Sequence, residues 1–211
     1  MALFKDVGYK NRFGYKGVLS MIWARLGDGG IGKDGDLPWK RLLPTDLKFF
    51  KALTSHNPNA VLVVGSSTFR FLPPLPGRDI IVLSRTPKLA TKGKAGSVEY
   101  RTSIEVLLKE EKRDIIVIGG GTIYEQFMPF ADVLYETIIA SDTMPADTFI
   151  NPVERKKFEF MDTHIERNCD KSGIDVIFVR WESKELPGTT RYFDVRERYN
   201  YTLTHMVQGE A

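Results

Sequence analysis

Three groups of residues in this sequence have types and spacings suited to chemistry on a small molecule. The first is Gly119, Gly120 and Gly121, which follow the apolar run 115–118 and precede a helical pattern that Pro129 ends. Because they lack side chains, these glycines let a pyrophosphate approach the backbone N–H groups and the positive end of the helix dipole. A tight turn that binds no ligand is the alternative interpretation of this segment taken alone.

The second group surrounds Asp46 in the segment LPWKRLLPTDLKFFK, where Trp39 precedes a predicted helix and Asp46 lies in its first turn. An acid near a helix N-terminus is commonly a simple partner of the helix dipole. The apolar neighbours of Asp46 are Leu42, Leu43, Leu47 and Phe50. Among them an inward-facing carboxylate would lose its hydration, and its pKa would rise. Both interpretations stay open at this point.

The third group lies in the segment TFRFLPPLPGRDIIVLSR, where a proline-rich turn delivers Arg78 to the start of a predicted strand. The planar guanidinium of an arginine can hold a carboxylate by two parallel hydrogen bonds. The segment therefore predicts a binding site for a carboxylate-bearing ligand, with an exposed charge at the end of a strand as the alternative.

A fourth glycine pattern, formed by Gly27, Gly29 and Gly32, has the G-x-G-x-x-G spacing of a dinucleotide-binding turn. Such a turn must open a helix, whereas KDGDLP follows here, with two aspartates and a proline where the helix would begin. We therefore interpret residues 27–35 as a flexible loop able to close over a site.

Apolar runs typical of strands alternate with helical patterns along most of the chain. The predicted strands cover residues 18–24, 60–64, 80–83, 115–118, 133–140, 158–165 and 174–181. The predicted helices cover residues 45–53, 66–71, 103–110 and 122–128. This alternation predicts an α/β fold with a mostly parallel central sheet and helices on both faces. The last two strands, joined near CDKSG, are expected to form an antiparallel hairpin at the sheet edge.

Length and composition predict one domain, since 211 residues of which 42% are hydrophobic can bury a single good core. Residues 1–17 and 184–211 lie outside the alternating pattern and are expected to be terminal extensions. The net charge of +3 gives no strong argument for nucleic acid as a partner. No apolar run near the N-terminus is long enough for a signal peptide or a membrane span, so we expect a cytoplasmic protein.

A metal site is not expected, because the lone Cys169 and the histidines His56, His164 and His205 lack the spacing of metal ligands. The same cysteine count excludes an internal disulfide.

In order along the chain, the motifs GIGKDGDLPW, LPTDLKFFK, LPGRDIIVLS and VIGGGTIYEQFMPFAD, then Thr137 and ADTFI, resemble those of the dihydrofolate reductase family. The resemblance covers about residues 18–183, and the combination is much more specific than each motif alone. It implies a dihydrofolate reductase-like fold and reduction of 7,8-dihydrofolate to 5,6,7,8-tetrahydrofolate with NADPH. In that reaction a hydride is transferred to C6 of the pterin and N5 is protonated.

The resemblance also assigns roles to individual residues. Asp46 matches the acid of the pterin pocket, Thr137 the hydroxyl that supports it, Trp39 a tryptophan that closes the pocket, and Leu37 a residue of the closing loop. The residues that match the substrate pocket are Ile22, Trp23, Ala24, Leu47, Phe50, Leu72, Leu75, Arg78, Ile118 and Tyr124. Among these, Arg78 would bind the α-carboxylate of the substrate's glutamate, and Ala24 and Tyr124 would lie near the nicotinamide. The others supply apolar walls or backbone carbonyls.

For the cofactor, the resemblance assigns the pyrophosphate to the glycine turn and a second phosphate site to the predicted helix at residue 66. The matching residues are Ala24, Ile31, Gly32, Gly65, Ser66, Ser67, Thr68, Leu83, Ser84, Arg85, Arg101, Ile118, Gly119, Gly120, Gly121, Thr122, Ile123 and Tyr124. Ser66 replaces an arginine that many bacterial members carry, so the 2′-phosphate of NADPH would depend on Arg85 or Arg101. The stretch 39–46 is also longer than in compact bacterial members.

Two alternatives to dihydrofolate reduction are open from the sequence. One is a related pterin or pyrimidine reductase of the same fold, such as the riboflavin-pathway reductase, from which Arg78 discriminates because only a glutamate-bearing substrate needs it. The other is a reductase fold kept as a structural or interaction module, with the terminal extensions as docking segments. Oligomeric state is not predicted.

Overall fold

The computed structural model describes residues 13–86, 89, 91–93, 96–141 and 143–185. Within them, eleven strands form a nine-stranded sheet and a separate two-stranded ribbon. The strands are β1 (Leu19–Leu26), β2 (Gly30–Gly32), β3 (Val61–Gly65), β4 (Asp79–Leu83), β5 (Thr91–Gly93), β6 (Gly96–Arg101), β7 (Ile115–Val117), β8 (Val133–Ile139), β9 (Thr148–Phe149), β10 (Phe158–Glu166) and β11 (Val176–Ser183).

The nine-stranded sheet has the order β10-β11-β8-β1-β7-β3-β4-β6-β5. Its six central strands, from β8 to β6, run parallel, whereas β11 pairs antiparallel with β8 and with β10. The mostly parallel sheet and the antiparallel hairpin at its edge are confirmed. Because parallel strands end at the same edge, the segments that follow β1, β3 and β7 meet there.

Among the described residues, four α-helices cover the two faces of the sheet, as predicted. They are α1 (Pro44–His56), α2 (Ser66–Phe69), α3 (Ile104–Glu110) and α4 (Gly121–Phe127). On one face α1 buries Phe49 and Leu53, and on the other face α3 and α4 bury Leu107 and Phe127. The central strands β3 and β7 are buried along their whole length, so their mainly apolar sequences are covered on both sides.

Four short strands were not predicted from the sequence. Strands β5 and β6 add a second antiparallel pair at the far edge of the sheet, and β2 and β9 form the separate ribbon. Their residues are polar or glycine-rich, and β6 is only partly buried, so they lack the apolar alternation that marks the longer strands. The loop predicted at residues 27–35 therefore contains a strand.

At the N-terminus the packed structure begins before the first strand. Tyr15 is buried, and its hydroxyl donates to the carbonyl oxygens of Arg113 at 2.8 Å and Val18 at 3.2 Å. Most of the two predicted extensions, residues 1–12 and 186–211, lies outside the described residues. The longest described helix, α1, has 13 residues, and none of the described helices has the length and apolarity of a membrane span.

Candidate active site

The carboxylate of Asp46 lies at the N-terminal end of helix α1. Pro44 begins this helix, and Asp46 occupies its first turn with only 7% of its surface exposed. The pKa of Asp46 is raised to about 6, mainly because burial removes its hydration. A hydrogen bond from the hydroxyl of Thr137 lowers this pKa, and the negative charge of Asp170 raises it further. Of the two interpretations that the sequence left open, the buried, desolvated carboxylate is therefore the one that the structure shows.

Thr137 reaches Asp46 from the sheet. It lies in β8, paired with Ala24 of the neighbouring strand β1, and is 1% exposed. A buried hydroxyl needs a hydrogen-bond partner, and the carboxylate of Asp46 accepts that bond. Helix and sheet are thereby joined by a polar contact inside an apolar region.

The apolar residues predicted around the substrate belong mostly to the sheet face that packs against α1. Ile22, Trp39, Leu75 and Ile118 are buried in that cluster, and Ala24, Leu37, Phe50 and Leu72 pack against it with part of their surface exposed. Leu47 is 42% exposed. Eight of the predicted residues thus share one face.

Trp23 corrects the predicted wall. Successive residues of a strand point to opposite faces of the sheet, so Ile22 and Trp23 cannot line the same surface. The structure places Trp23 in the cluster on the other face, with its ring 5.8 Å from that of Tyr124. The side chain of Trp23 therefore packs in the core and does not line the pocket, which leaves only its backbone on the strand that borders the site.

Tyr124 of helix α4 ties the glycine turn to strand β1. Its hydroxyl donates a hydrogen bond of 2.7 Å to the carbonyl oxygen of Ile22. Burial, followed by the charge of Asp46, raises the pKa of Tyr124, so the phenol remains protonated. The bond fixes the position of a carbonyl that the sequence assigned to the substrate pocket.

Arg78 is a buried cation with an incomplete set of partners. It is 9% exposed, and one Nη atom donates to the hydroxyl of Thr54 at 2.9 Å. Its buried Nε has no hydrogen-bond partner among the described residues, and desolvation lowers its pKa. A guanidinium in this state favours an added anion, because buried donors without acceptors are costly. The exposed strand-end charge considered above is therefore wrong.

The glycine turn crosses the end of β3 with no room for side chains. The N–H of Gly65 donates to the carbonyl oxygen of Gly119 at 2.8 Å, and the Gly119-Gly120 peptide bond is cis. A Cβ atom added to Gly65 would lie 2.8 Å from the side chain of Ile123, and one added to Gly120 would lie 2.6 Å from Oγ1 of Thr68. A side chain at either position would force Ile123 or Thr68 to shift, because real Cβ atoms do not approach other atoms this closely.

Helices α2 and α4 both begin at this crossing. Gly65 and Gly120 occupy the positions before their first turns, and neither helix has a side-chain cap. Helix N-termini leave backbone N–H groups unsatisfied, and these groups attract anions. Ser66, Ser67, Thr68, Thr122 and Ile123 all lie in these two helices. The structure therefore brings the two predicted phosphate-binding segments together.

The two arginines considered for the 2′-phosphate differ in their surroundings. Arg101 lies opposite Leu83 in the sheet and forms ion pairs of 3.0 Å with Glu99 and 3.2 Å with Glu110. Arg85, which follows Ser84, is exposed and forms no ion pair within the part of the chain that the structure describes. Of the two, Arg85 is therefore the cation available to a phosphate.

The loop after β1 is held by contacts with residues 147–149, which the sequence did not predict and which we call the latch. Strand β2 of the loop pairs with β9. The backbone N–H of Asp34 donates to Oδ2 of Asp147 at 2.8 Å. The backbone N–H of Asp147 in turn donates to the carbonyl oxygen of Gly32 at 2.9 Å. A Cβ atom on Gly121 would lie 3.7 Å from Cδ1 of Ile31, so the latched loop reaches the glycine turn. ADTFI contains Asp147, but no local pattern links it to the loop 113 residues earlier.

Comparison with known proteins identifies the family of this chain. The family model for dihydrofolate reductase matches residues 18–183. The dihydrofolate reductase of Enterococcus faecium is 34% identical over 148 residues, which cover 68% of this chain and 83% of that protein. The enzyme of Haemophilus influenzae is 33% identical over 163 residues, covering 77% and 96%.

Among solved structures, dihydrofolate reductase from Enterococcus faecalis, complexed with NADP(H) and RAB-propyl, superposes with a TM-score of 0.66. It is 31% identical in sequence, and the match covers 81% of this chain and 99% of that one. The family model alone spans more than half of the chain. The chain therefore belongs to the dihydrofolate reductase family, whose members reduce 7,8-dihydrofolate to 5,6,7,8-tetrahydrofolate with NADPH.

Proposed function

We propose that this chain reduces 7,8-dihydrofolate with Asp46 as the acid that binds the pterin and controls its protonation. The observation that carries the proposal is a carboxylate that is 7% exposed, hydrogen-bonded to Thr137, and has a pKa of about 6. Perturbed carboxyl groups in a crevice are typical of acid–base sites, because a pKa near the working pH makes both protonation states accessible.

The ionised carboxylate of Asp46 would accept two hydrogen bonds, from the 2-amino group and from N3 of the pterin. Such paired, charge-assisted bonds fix the plane of the ring. A proton on N5 makes the C=N bond more electrophilic at C6, which favours hydride attack. Since Asp46 would bind the far side of the ring, water would deliver that proton, and the buried indole N–H of Trp39 is available to orient it.

The residues present fit NADPH as the cofactor. The test is the cradle at Gly65 and Gly120, the residues before the first turns of α2 and α4, where an added Cβ atom would collide with the side chains of Ile123 and Thr68. When bound, NADPH supplies the hydride. Gly119, Gly120 and Gly121 would hold its pyrophosphate with Thr122 and Ile123, and Gly65, Ser66, Ser67 and Thr68 a further phosphate.

The remaining cofactor contacts come from the loop and from the strand ends. Ala24, Ile31, Gly32, Ile118 and Tyr124 would meet the nicotinamide, where the latched loop excludes water. Leu83, Ser84 and Arg85 would border the adenosine end. We assign the 2′-phosphate to Arg85, because Glu99 and Glu110 already pair with Arg101.

Arg78 would bind the α-carboxylate of the substrate's glutamate. Its guanidinium is held by Thr54, whose own hydroxyl donates to the carbonyl oxygen of Phe50 at 2.7 Å, so the arginine is fixed before substrate arrives. The pterin and aminobenzoyl rings would cover the apolar surface of Phe50, Leu47 and Leu72. This arrangement supports a glutamate-bearing substrate over a riboflavin-pathway intermediate.

The direct test follows the loss of NADPH absorbance with and without dihydrofolate, and then with NADH in place of NADPH. We expect oxidation only when dihydrofolate is present, and faster oxidation of NADPH than of NADH. Equal rates with the two dinucleotides would contradict the role given to Arg85. No oxidation with dihydrofolate, in a folded protein, would contradict the proposed function itself.

The substrate class is tested by Arg78→Leu, with Arg70→Leu as the matched control because Arg70 is an exposed arginine just after α2. Loss of a charge-assisted pair of hydrogen bonds is expected to raise KM for dihydrofolate by roughly 10–100-fold, with a smaller effect on kcat. The Arg70 variant is expected to keep the wild-type KM. A dihydrofolate KM that does not change in the Arg78 variant would favour the other reductases of this fold.

Dihydrofolate and NADPH are the expected small-molecule partners. We retain the cytoplasmic location expected from the sequence as part of this proposal. Cell fractionation of the tagged full chain tests it, since recovery with the membrane fraction would contradict it.

A further inference from the structure

An aspartate of the β10–β11 hairpin holds the first turn of the helix that carries Asp46. The backbone N–H of Thr45 donates to Oδ2 of Asp170 at 2.8 Å, and the hydroxyl of Thr45 donates to Oδ1 of the same carboxylate at 2.8 Å. The two residues are 125 positions apart in the sequence, and Thr45 directly precedes Asp46. One carboxylate thus receives two hydrogen bonds from the residue beside the proposed acid.

Helix α1 has no cap of its own, which gives this contact its weight. Leu43 occupies the position before the helix and makes no side-chain cap, and Pro44 has no N–H to satisfy. The N–H of Thr45 is among the donors that a capping side chain normally binds. Asp170 therefore caps α1 from another element, with a negative charge at the positive end of the helix.

The turn that presents Asp170 is itself firmly held. Asn168, Asp170 and Lys171 have φ angles of 48°, 54° and 58°, in the left-handed region that non-glycine residues adopt only where surrounding contacts impose it. Cys169 is fully buried in the core, and the N–H of Gly173 donates to Oδ1 of Asn168 at 2.7 Å. The carboxylate of Asp170 is therefore directed at α1 by its own backbone.

We propose that Asp170 is a positioning residue of the reductase reaction, which anchors the first turn of α1 and thereby fixes where the carboxylate of Asp46 lies and which charge faces it. The inference rests on the proposed role of Asp46. It assigns no contact with the substrate to Asp170. It gives the CDKSG turn, which the sequence identified only as a hairpin connection, a part in catalysis.

The titratable groups around Asp46 determine how Asp170 affects the pKa of Asp46. From the hairpin, the negative charge of Asp170 raises the pKa of Asp46, in addition to the larger effect of burial. From α4, the phenol of Tyr124 has a raised pKa and stays neutral. The thiol of Cys169, beside Asp170, also stays neutral because burial raises its pKa to about 12. Within the described residues, Asp170 is thus the charged group of the hairpin that acts on Asp46.

Asp170→Asn removes this charge while it keeps an oxygen for the N–H of Thr45. Without the negative charge of Asp170 the pKa of Asp46 is expected to be lower. The transition that Asp46 causes in the pH profile of kcat/KM for dihydrofolate is therefore expected to move to lower pH. Because Asp170 is exposed, 1 M salt is expected to shrink the difference from wild type. Looser anchoring of α1 is expected to raise KM for dihydrofolate by about 2–10-fold, as for the loss of a helix cap.

Two further variants separate anchoring from charge. Thr45→Val keeps the charge of Asp170 and the backbone bond but loses the hydroxyl, so KM is expected to rise while the pH profile stays in place. Asp175→Asn is the matched control, because it removes the same charge from the same hairpin, where its partners are Arg167 and the backbone of Asn168. The control is expected to keep both the wild-type pH profile and the wild-type KM.

The experiment measures kcat/KM from pH 5 to 9 for all variants, with circular dichroism to show that each is folded. A profile of the Asp170 variant within about 0.1 pH unit of wild type, or an equal shift in the Asp175 variant, would overturn the inference. If the wild-type pH profile of kcat/KM shows no transition, or if Asp46→Asn keeps that transition, the proposed role of Asp46 is wrong. This inference then fails with it. If that transition exists and Asp170→Asn leaves it in place, only the positioning role fails.

Discussion

Replacing Asp46 by asparagine is expected to stabilise the fold at neutral pH while it destroys activity. Burial raises the pKa of this carboxyl from 3.8 to about 6, so the folded protein binds its proton more tightly than the unfolded chain does. A difference of about 2 pKa units corresponds to about 3 kcal/mol. The wild-type protein therefore carries about 3 kcal/mol of unfavourable free energy at Asp46 above pH 6, in line with the stability that active sites commonly forgo.

The sign of this effect fixes its pH window. Below about pH 4, Asp46 is protonated in both states and makes no difference to stability. Between about pH 4 and 6 the folded state binds more protons than the unfolded state, so rising pH lowers the free energy of unfolding. Above pH 6 the loss is complete. An asparagine cannot ionise, so the Asp46→Asn variant lacks this fall.

Urea unfolding at several pH values from 4 to 8, followed by tryptophan fluorescence, measures the effect. All other groups titrate in both proteins, so the difference between Asp46→Asn and wild type isolates Asp46. As the pH rises from 4 to 8, the free energy of unfolding of the variant is expected to increase by about 3 kcal/mol relative to that of wild type. At pH 7 its turnover is expected to fall by roughly 10²–10⁴-fold.

Thr137→Val serves as the companion variant because valine has nearly the same shape. The hydroxyl of Thr137 lowers the pKa of Asp46 by hydrogen bonding, so its loss is expected to raise that pKa further. The fall in stability then extends to higher pH and becomes larger than in wild type. A difference between Asp46→Asn and wild type that is flat from pH 4 to 8, or near-normal turnover in that variant, would refute the reasoning.

Two further substitutions test the cofactor cradle and the loop. Gly120→Ala places a Cβ atom 2.6 Å from Oγ1 of Thr68, so KM for NADPH is expected to rise about tenfold or more; an unchanged KM for NADPH would show that this turn does not bear on cofactor binding. Asp147→Ala removes the acceptor that holds the N–H of Asp34, so faster hydrogen exchange at residues 30–36 and a lower kcat are expected; unchanged exchange there would show that the latch does not hold the loop.

Much of the fold was predictable because its main signals are local. Residues 115–118 form a β-branched run that suits only a strand covered on both sides, and strand β7 is buried throughout. The proline of KDGDLP excluded a helix after Gly32, and the structure has an isolated bridge between Lys33 and Asp36 there instead. Strands β5, β6, β2 and β9 were missed because pairing with a neighbour, not their own composition, holds them in place.

The site divides in a similar way. Sequence alone indicated that Asp46 sits among apolar residues and that three glycines follow a buried strand, since both facts concern neighbours along the chain. It misplaced the side chain of Trp23, because the family's pattern was transferred without the alternation that turns Ile22 and Trp23 to opposite faces.

What the sequence by itself determined was the family, the alternation of strands and helices, and the residue types that the reaction needs. Only the tertiary structure decided which groups act on Asp46, because Thr137 of strand β8 and Asp170 of the β10–β11 turn are far from it in the chain. It also decided that Glu99 and Glu110 occupy Arg101 and that Thr54 holds Arg78. The physical reason is that burial and electrostatic interaction depend on distance in space, which a linear pattern of residues does not encode.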